Sequence, residues 1–253
     1  MPLGILDGYG DPECIEHVLA ALPNVPRPIF YATCHHPGNV VRLSNVYDVS
    51  GSGWLLDERF FKTNEIEDVV IVSGDAIITP REHFLPQTLV AGGADCFHAA
   101  FVSNTYEGVM HLSVTNEHGW NNPNFLGPVT DNVFSIVDPY STSMVIGPTI
   151  RSCDYEWEED VVEQLLDGIR KLDPHIKLDD VVRPRPNTPG KVGFDFLKVV
   201  VRHLIQLGIS PERINLDHAE CTYCHPATRH SRRRDGKDDP RRLRNLVALL
   251  QIP

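Results

Sequence analysis

The chain has 253 residues, 42% of them hydrophobic and 23% charged, with a formal net charge of −11. That length supports a substantial core, and the acidic balance argues against general nucleic-acid binding. Six cysteines in a chain of this length do not make a disulfide framework, so a reducing cytoplasm is expected. No apolar run reaches membrane-spanning length, and residues 1–7 lack the pattern of a signal peptide.

Taken in order, residues 12–22 follow Asp11 as an N-cap with Pro12 at the first helical position, which predicts a short helix. Residues 29–33 read as a strand, and Cys34-His35-His36-Pro37-Gly38 as a turn. Residues 43–68 are weakly patterned, with Gly51-Ser52-Gly53 as a loop. Short strands follow over 69–72, 76–79, 89–91, 97–102 and 109–114 and are expected to share one sheet. In the last of these, His111 shares a face with Val109 and Ser113. His118 lies in a polar loop that leaves it free to reach a site.

Residues 126–137 suggest a helix and 144–146 a strand. Residues 157–172 predict an amphipathic helix with Val161, Leu165, Ile169 and Leu172 on one stripe. An extended loop over 183–190 precedes a second strong helix over 194–207, with Gly208 at its C-cap. A strand over 213–216 and a closing helix over 240–250 complete the pattern, which gives one mixed α/β (α+β) domain spanning residues 1–253.

Chemistry concentrates at residues 92–102. A Gly-Gly-Ala entry, then Asp95, Cys96 and His98, opens an apolar run that reads as a buried strand. A buried cysteine is usually a small hydrophobe. Polar neighbours beside it would need partners of their own, which favours Cys96 as a metal-binding thiolate or a nucleophile. A second concentration is basic, with Arg229, Arg232, Arg233, Arg234, Lys237, Arg241, Arg242 and Arg244 close together. Most of these suit a solvated face neutralised by nearby aspartates, while one or two suit an anionic ligand.

His218-Ala219-Glu220-Cys221-Thr222-Tyr223-Cys224 carries the letters of the zinc-deaminase signature. Its halves are contiguous and no proline precedes Cys221, so the match is a decoy. A structural zinc site would want a further ligand pair that no clean spacing supplies. Cys221 and Cys224 are therefore expected to be reduced thiols at a pocket rim or packed below it.

Several short motifs occur in one order: Gly74-Asp75-Ala76, Ala94-Asp95-Cys96, residues 147–156 (Gly-Pro-Thr-Ile-Arg-Ser-Cys-Asp-Tyr-Glu), Cys221-Thr222-Tyr223-Cys224, Ser231, and Arg233-Arg234-Asp235-Gly236. This order and spacing, over roughly residues 69–250, resembles the laccase-domain family, also called YfiH-like or polyphenol-oxidase-like. The resemblance implies a layered fold with β-sheets packed between helices, and a purine-nucleoside pocket around a zinc held by one Cys and two His. Family members are described as polyphenol oxidases and as phosphorylases and deaminases of purine nucleosides. A peptidoglycan-precursor editing role is attached to bacterial members.

The family's Asp-Cys falls on Asp95 and Cys96, and its second histidine on His118, with His111 as the alternative. Its first histidine falls where Glu65 stands. Asn121 and Cys34 occupy positions of family arginines, and Arg229-His230-Ser231-Arg232 replaces Phe-Phe-Ser-Tyr. The implied ligands are Cys96 and His118, with Glu65 or His111 as the third. The implied metal is zinc, with copper as the alternative, and Asp95 and Arg233 join the catalytic set. The implied activity is metal-dependent purine nucleoside phosphorolysis or adenosine deamination, with nucleoside and phosphate as ligands and neither nucleic acid nor membrane as partner. The departures favour a second possibility, a catalytically degenerate member that binds a ligand or partner.

Overall fold

A computed structural model describes residues 20, 22–27, 29–33, 40–42, 65–66, 69–73, 75–82, 87–112, 127–170, 173–236 and 245–251. The predicted helix over 12–22 and the turn at 34–38 fall almost wholly outside these residues, as do His118 and Asn121. Fourteen strands run in chain order: β1 Ile29–Thr33, β2 Val40–Arg42, β3 Glu65–Ile66, β4 Val69–Ser73, β5 Ala76–Pro80, β6 Gln87–Gly92, β7 Phe97–Val102, β8 Tyr106–Leu112, β9 Ser143–Ile146, β10 Glu156–Glu158, β11 Val182–Pro184, β12 Lys191–Phe194, β13 Ile214–Asn215 and β14 Leu246–Gln251.

They form a five-stranded sheet in the order β14-β6-β1-β4-β3, a six-stranded sheet β13-β9-β7-β8-β5-β2, and a three-stranded sheet β10-β12-β11. β1 is parallel to β4 and β6, whereas β7, β8 and β9 pair antiparallel. The short strands between Val69 and Leu112 are thus divided between two sheets, not gathered into one: β4 and β6 go to the first, β5, β7 and β8 to the second. An apolar run identifies a strand, but only long-range pairing decides its sheet.

The side-chain alternation of the six-stranded sheet fixes the layers. Ala76, Ile78, Phe97, Ala99, Phe101, Met110 and Leu112 point into a core shared with the helices Gly127–Phe134, Glu159–Ile169 and Phe196–Gln206. Ile77, Ala100 and Val109 point the other way, against Phe30, Ala32, Leu89, Ala91 and Val247 of the five-stranded sheet. The architecture is α+β, two facing sheets with helices covering one of them. None of the described helices is long and apolar enough to cross a membrane.

Two predicted elements are corrected. Trp157 lies in β10 and its helix starts at Glu159, because Glu156, Trp157 and Glu158 pair with β12. Of its predicted stripe, Val161 and Leu165 pack on the core, joined by Val162 and Leu166. Within the predicted closing helix over 240–250, residues 246–250 are instead part of β14, which pairs antiparallel along the whole of β6, and residues 240–244 lie outside the described residues. Leu246-Val247-Ala248-Leu249-Leu250 is rich in helix formers, but the open edge of β6 outweighs that preference. The helix after Asp195 ends as expected: Asp195 accepts from Lys198 N at its start, and Gly208 takes a φ of +110° just beyond its end.

Candidate functional site

β6 and β7 belong to different sheets, and the turn between them, Gly93 to Cys96, crosses from one to the other. That crossing places Asp95 and Cys96 at the rim of the inter-sheet layer. The turn is held from below. Gly93 N donates to Asn245 O at 3.1 Å, and the buried Asn245 amide donates to the carbonyls of Ala94 and His230.

Asp95 is the centre of a polar knot. Its Oδ1 accepts from Thr222 Oγ1 at 2.6 Å, and its Oδ2 accepts from Ser231 Oγ and from Arg233 N, each at 3.1 Å. Its backbone oxygen accepts from Thr149 Oγ1 and Ile150 N. One residue thereby joins four segments of chain, and both its carboxylate oxygens are engaged.

Ser231 caps the single turn Arg232–Asp235, its side chain accepting from Arg234 N while its own N–H donates to Asp235 Oδ2 at 3.1 Å. Arg234 spends its five donors on Asp235 Oδ1 and Oδ2 and on the carbonyls of Thr222, Tyr223 and Arg229. Those bonds hold the Asp235 carboxyl at about 2, below its ordinary 3.8. Arg234 is thus structural. Arg233 is exposed, and among the described residues its guanidinium pairs with no carboxylate. It lies over the Tyr155 ring, 4.7 Å from the centroid, and 6.0 Å from that of Trp157.

Cys96 is half-exposed, in contrast to the strand that follows it. A Cβ on Gly93 would stand 3.0 Å from His111 Cε1, 3.6 Å from His111 Nε2 and 3.7 Å from Cys96 Cβ. The His111 ring and the Cys96 Cβ therefore both lie beside Gly93, where a side chain would crowd the imidazole. Tyr155 closes another side: burial first, and then Cys96, push its phenol well above its ordinary range, so it stays protonated.

His98 is the cross-strand partner of His111, and both face the inter-sheet layer. Its Nδ1 lies 3.1 Å from Cys96 O. Its ring packs against Gly147 and Val247, where a Cβ on Gly147 would come within 2.6 Å of Nε2. Burial, with a contribution from His111, lowers His98 from 6.5 to about 3, so it is a neutral, enclosed group. Of the two buried histidines, His111 is the one that lies beside Gly93 and Cys96. Glu65 lies on β3, opposite Val70, three strands from β6.

A second thiol group emerges that sequence spacing did not reveal. Cys153 Sγ lies 3.2 Å from Cys221 Sγ and 3.0 Å from Cys224 Sγ, and all three sulfurs fall within 4.8 Å of one another. Burial, then hydrogen bonds to the other two, raise Cys153. Burial alone would raise Cys221 too, but donors at Cys224 N, Cys153 and Arg151 outweigh it and lower the thiol. Cys221 and Cys224 are thus neither isolated nor merely packed: Cys153 completes a group with them. The motif signal was present in Cys153-Asp154-Tyr155 and Cys221-x-x-Cys224, but nothing linear links the two.

The fold and this rim define an α+β protein with a thiol-imidazole corner beside a basic turn. The family model for multi-copper polyphenol oxidoreductase laccase matches residues 14–248, and the chain belongs to that laccase-domain family. Solved structures agree in fold. A Bacillus licheniformis hypothetical protein, YfiH, is 19% identical with a TM-score of 0.63, over 97% of this chain and 84% of that one. YlmD from Geobacillus stearothermophilus is 19% identical with a TM-score of 0.63, over 96% and 82%. The Neisseria meningitidis protein NMB0706 is 17% identical with a TM-score of 0.61, over 97% and 84%. A search of curated proteins finds no match.

Proposed function

We propose that the chain is a metal-dependent purine nucleoside phosphorylase or adenosine deaminase of the laccase-domain class, with its centre at Cys96. The observation that carries this is the proximity of Cys96 and His111 on either side of Gly93, with Asp95 next to Cys96, Tyr155 close to the thiol, and over Tyr155 the guanidinium of Arg233, which pairs with no carboxylate among the described residues. A thiolate and an imidazole are a donor set for zinc, with copper the alternative, and Cys96 and His111 bring one of each beside Gly93. Cys96 and His111 would hold it, and His118 and Glu65 are the further ligands that the family pattern proposes. Bound there, the metal would supply Lewis acidity toward water or substrate.

The chain's own groups divide the remaining work. Arg233 offers a planar fork to phosphate, and its backbone is pinned by Asp95. Asp95 gives both carboxylate oxygens to Thr222, Ser231 and the backbone of Arg233, so it acts by positioning. The protonated Tyr155 supports Arg233 from below and keeps water from the inner side of the thiol. In phosphorolysis a phosphate oxygen bonds to the anomeric carbon while the N-glycosidic bond breaks and the purine leaves with a proton. In deamination water adds at the purine C6 and ammonia leaves.

The test is chromatography of products from adenosine, and from inosine with phosphate, using zinc-loaded wild type, Cys96→Ala and His111→Ala. Conversion by wild type that both variants lose supports the proposal. A zinc-loaded wild type that converts neither substrate overturns it. The second possibility, binding without turnover, rests on Glu65 and Asn121 standing where the family pattern has a histidine and an arginine. Nucleoside binding by calorimetry with no conversion would favour it.

A further inference from the structure

We propose that Cys153, Cys221 and Cys224 form a second metal site, distinct from the Cys96 corner, that takes a thiophilic divalent ion, zinc foremost. Three sulfurs converge from two segments 68 residues apart. A disulfide would use two of them and strand the third, whereas an ion uses all three. Tetrahedral zinc, with Zn–S of about 2.3 Å, holds its sulfurs roughly 3.7 Å apart. The observed 3.0 and 3.2 Å separations need only a small outward shift to admit it.

The surrounding chain is built as such a site requires. Cys221-x-x-Cys224 folds back so that Cys224 N donates to the Cys221 sulfur, an arrangement that leaves both thiols facing one point. β12 lets the other segment approach: a Cβ on Gly193 would collide with the Ser152 carbonyl, and glycine alone permits that contact. Two arginines brace the backbone behind the sulfurs. Arg185 donates to the carbonyls of Ser152 and Cys153, and Arg234 to those of Thr222 and Tyr223.

Asp154 Oδ2 lies 3.8 Å from Cys224 Sγ and is the nearest group for the fourth position, with water as its substitute. As the ion binds, each thiol that ligates it gives its proton to solvent. The site also has a structural consequence. Thr222, between the ligating cysteines, donates to Asp95, and Tyr155, two residues past Cys153, lies under Arg233. The ion would thus clamp together the two segments that support the Cys96 corner, without touching that corner itself.

Cobalt(II) titration of the purified reduced protein tests this, because thiolate-to-cobalt charge-transfer absorption grows with the number of bound sulfurs. Wild type and Cys96→Ser should both show a strong band, displaced by zinc. Cys153→Ser and Cys224→Ser should lose most of it and bind zinc at least tenfold more weakly. Cys224 is exposed, so its variant stays folded, and circular dichroism checks that. The proposal is overturned if Cys153→Ser and Cys224→Ser keep the full band while Cys96→Ser loses it. It is equally overturned if freshly purified protein, mapped without reductant, carries a Cys153 disulfide to either partner and no zinc. Failure at Cys96 alone would count against the activity proposed above and leave this site standing.

Discussion

Two neighbouring residues, Asp95 and Cys96, belong to different kinds of region. Around Asp95 all three oxygens are used: Thr222, Ser231, Arg233 N, Thr149 and Ile150 all converge on one residue, and Arg234 locks the turn above it. Around Cys96 the neighbours are His111, across Gly93, and Tyr155, whose ring carries Arg233. The contrast separates the residues that hold the rim from those that face a ligand. A polar residue in the middle of a motif is not thereby a chemical one.

The largest expected effect breaks the knot. Asp95→Ala leaves the buried Ser231 and Thr222 hydroxyls without their acceptor, and stability should fall by about 3 kcal/mol, measured by urea unfolding. Cys96→Ala should cost well under half of that, about 1 kcal/mol, because the thiol is half-exposed, yet it should remove the metal bound at that corner. If the two substitutions cost the same, the division between support and site fails.

Arg234→Lys should come next, at about 2 kcal/mol, since an ammonium cannot span Asp235 and three carbonyls together. The same pair sets an acid limb. Asp235 is depressed from 3.8 to about 2 in the folded protein, so the unfolded chain takes up its proton first as pH falls. Its stabilisation is present above pH 3.8 and is lost between about pH 4 and about pH 2. Asp235→Asn should flatten that part of the stability–pH curve, and an unchanged limb would show that Arg234 is held by its carbonyl partners alone.

The smallest effect on folding should come from Arg233→Ala. Its stacking on Tyr155 is worth about 0.5–1 kcal/mol at an exposed position. Phosphate should nevertheless raise the Tm of wild type and not of this variant, because a ligand bound only to the folded state stabilises it. Equal phosphate shifts in the two proteins would remove Arg233 from the ligand-facing group.

Much of the scaffold was legible because it is local. Apolar runs gave β1, β4, β5, β7 and β9, and Gly208 marked the end of a helix, whose predicted start falls two residues before the true one after Asp195. What required the whole chain was not legible. β14 has the composition of a helix and becomes a strand only because β6 lies open to it. Trp157 sits in the apolar pattern of the helix that follows, but β12 draws it into a sheet.

The same holds for the candidate site. The Asp95-Cys96 motif marked the right turn, but its sequence does not reveal that Asp95 is saturated by residues more than a hundred positions away. Cys221 and Cys224 were visible as a pair, and the third thiol was hidden by chain distance. In the sequence His98 belongs to the Cys96 stretch and His111 is an alternative ligand, and that the two pair across β7 and β8 is not visible. Both rings are buried, and only packing places one against Gly147 and the other beside Gly93.

The bonds from Asn245 to the β6–β7 turn set a clock. Asn245 lies 151 residues after Ala94, whose carbonyl it holds. At translation rates of about 5–20 residues per second, roughly 8 to 30 s pass between synthesis of the two. Through that interval β6 has no β14 beside it and the turn carrying Cys96 has no Asn245 beneath it. The thiol is made long before its enclosure is, so a nascent chain is most open to oxidation or to capture of the wrong ion at Cys96 just when the finished protein's protection is missing. Slowing translation late in the chain should lengthen that exposure, and trapping of Cys96 by a thiol-reactive probe on stalled ribosomes would measure it.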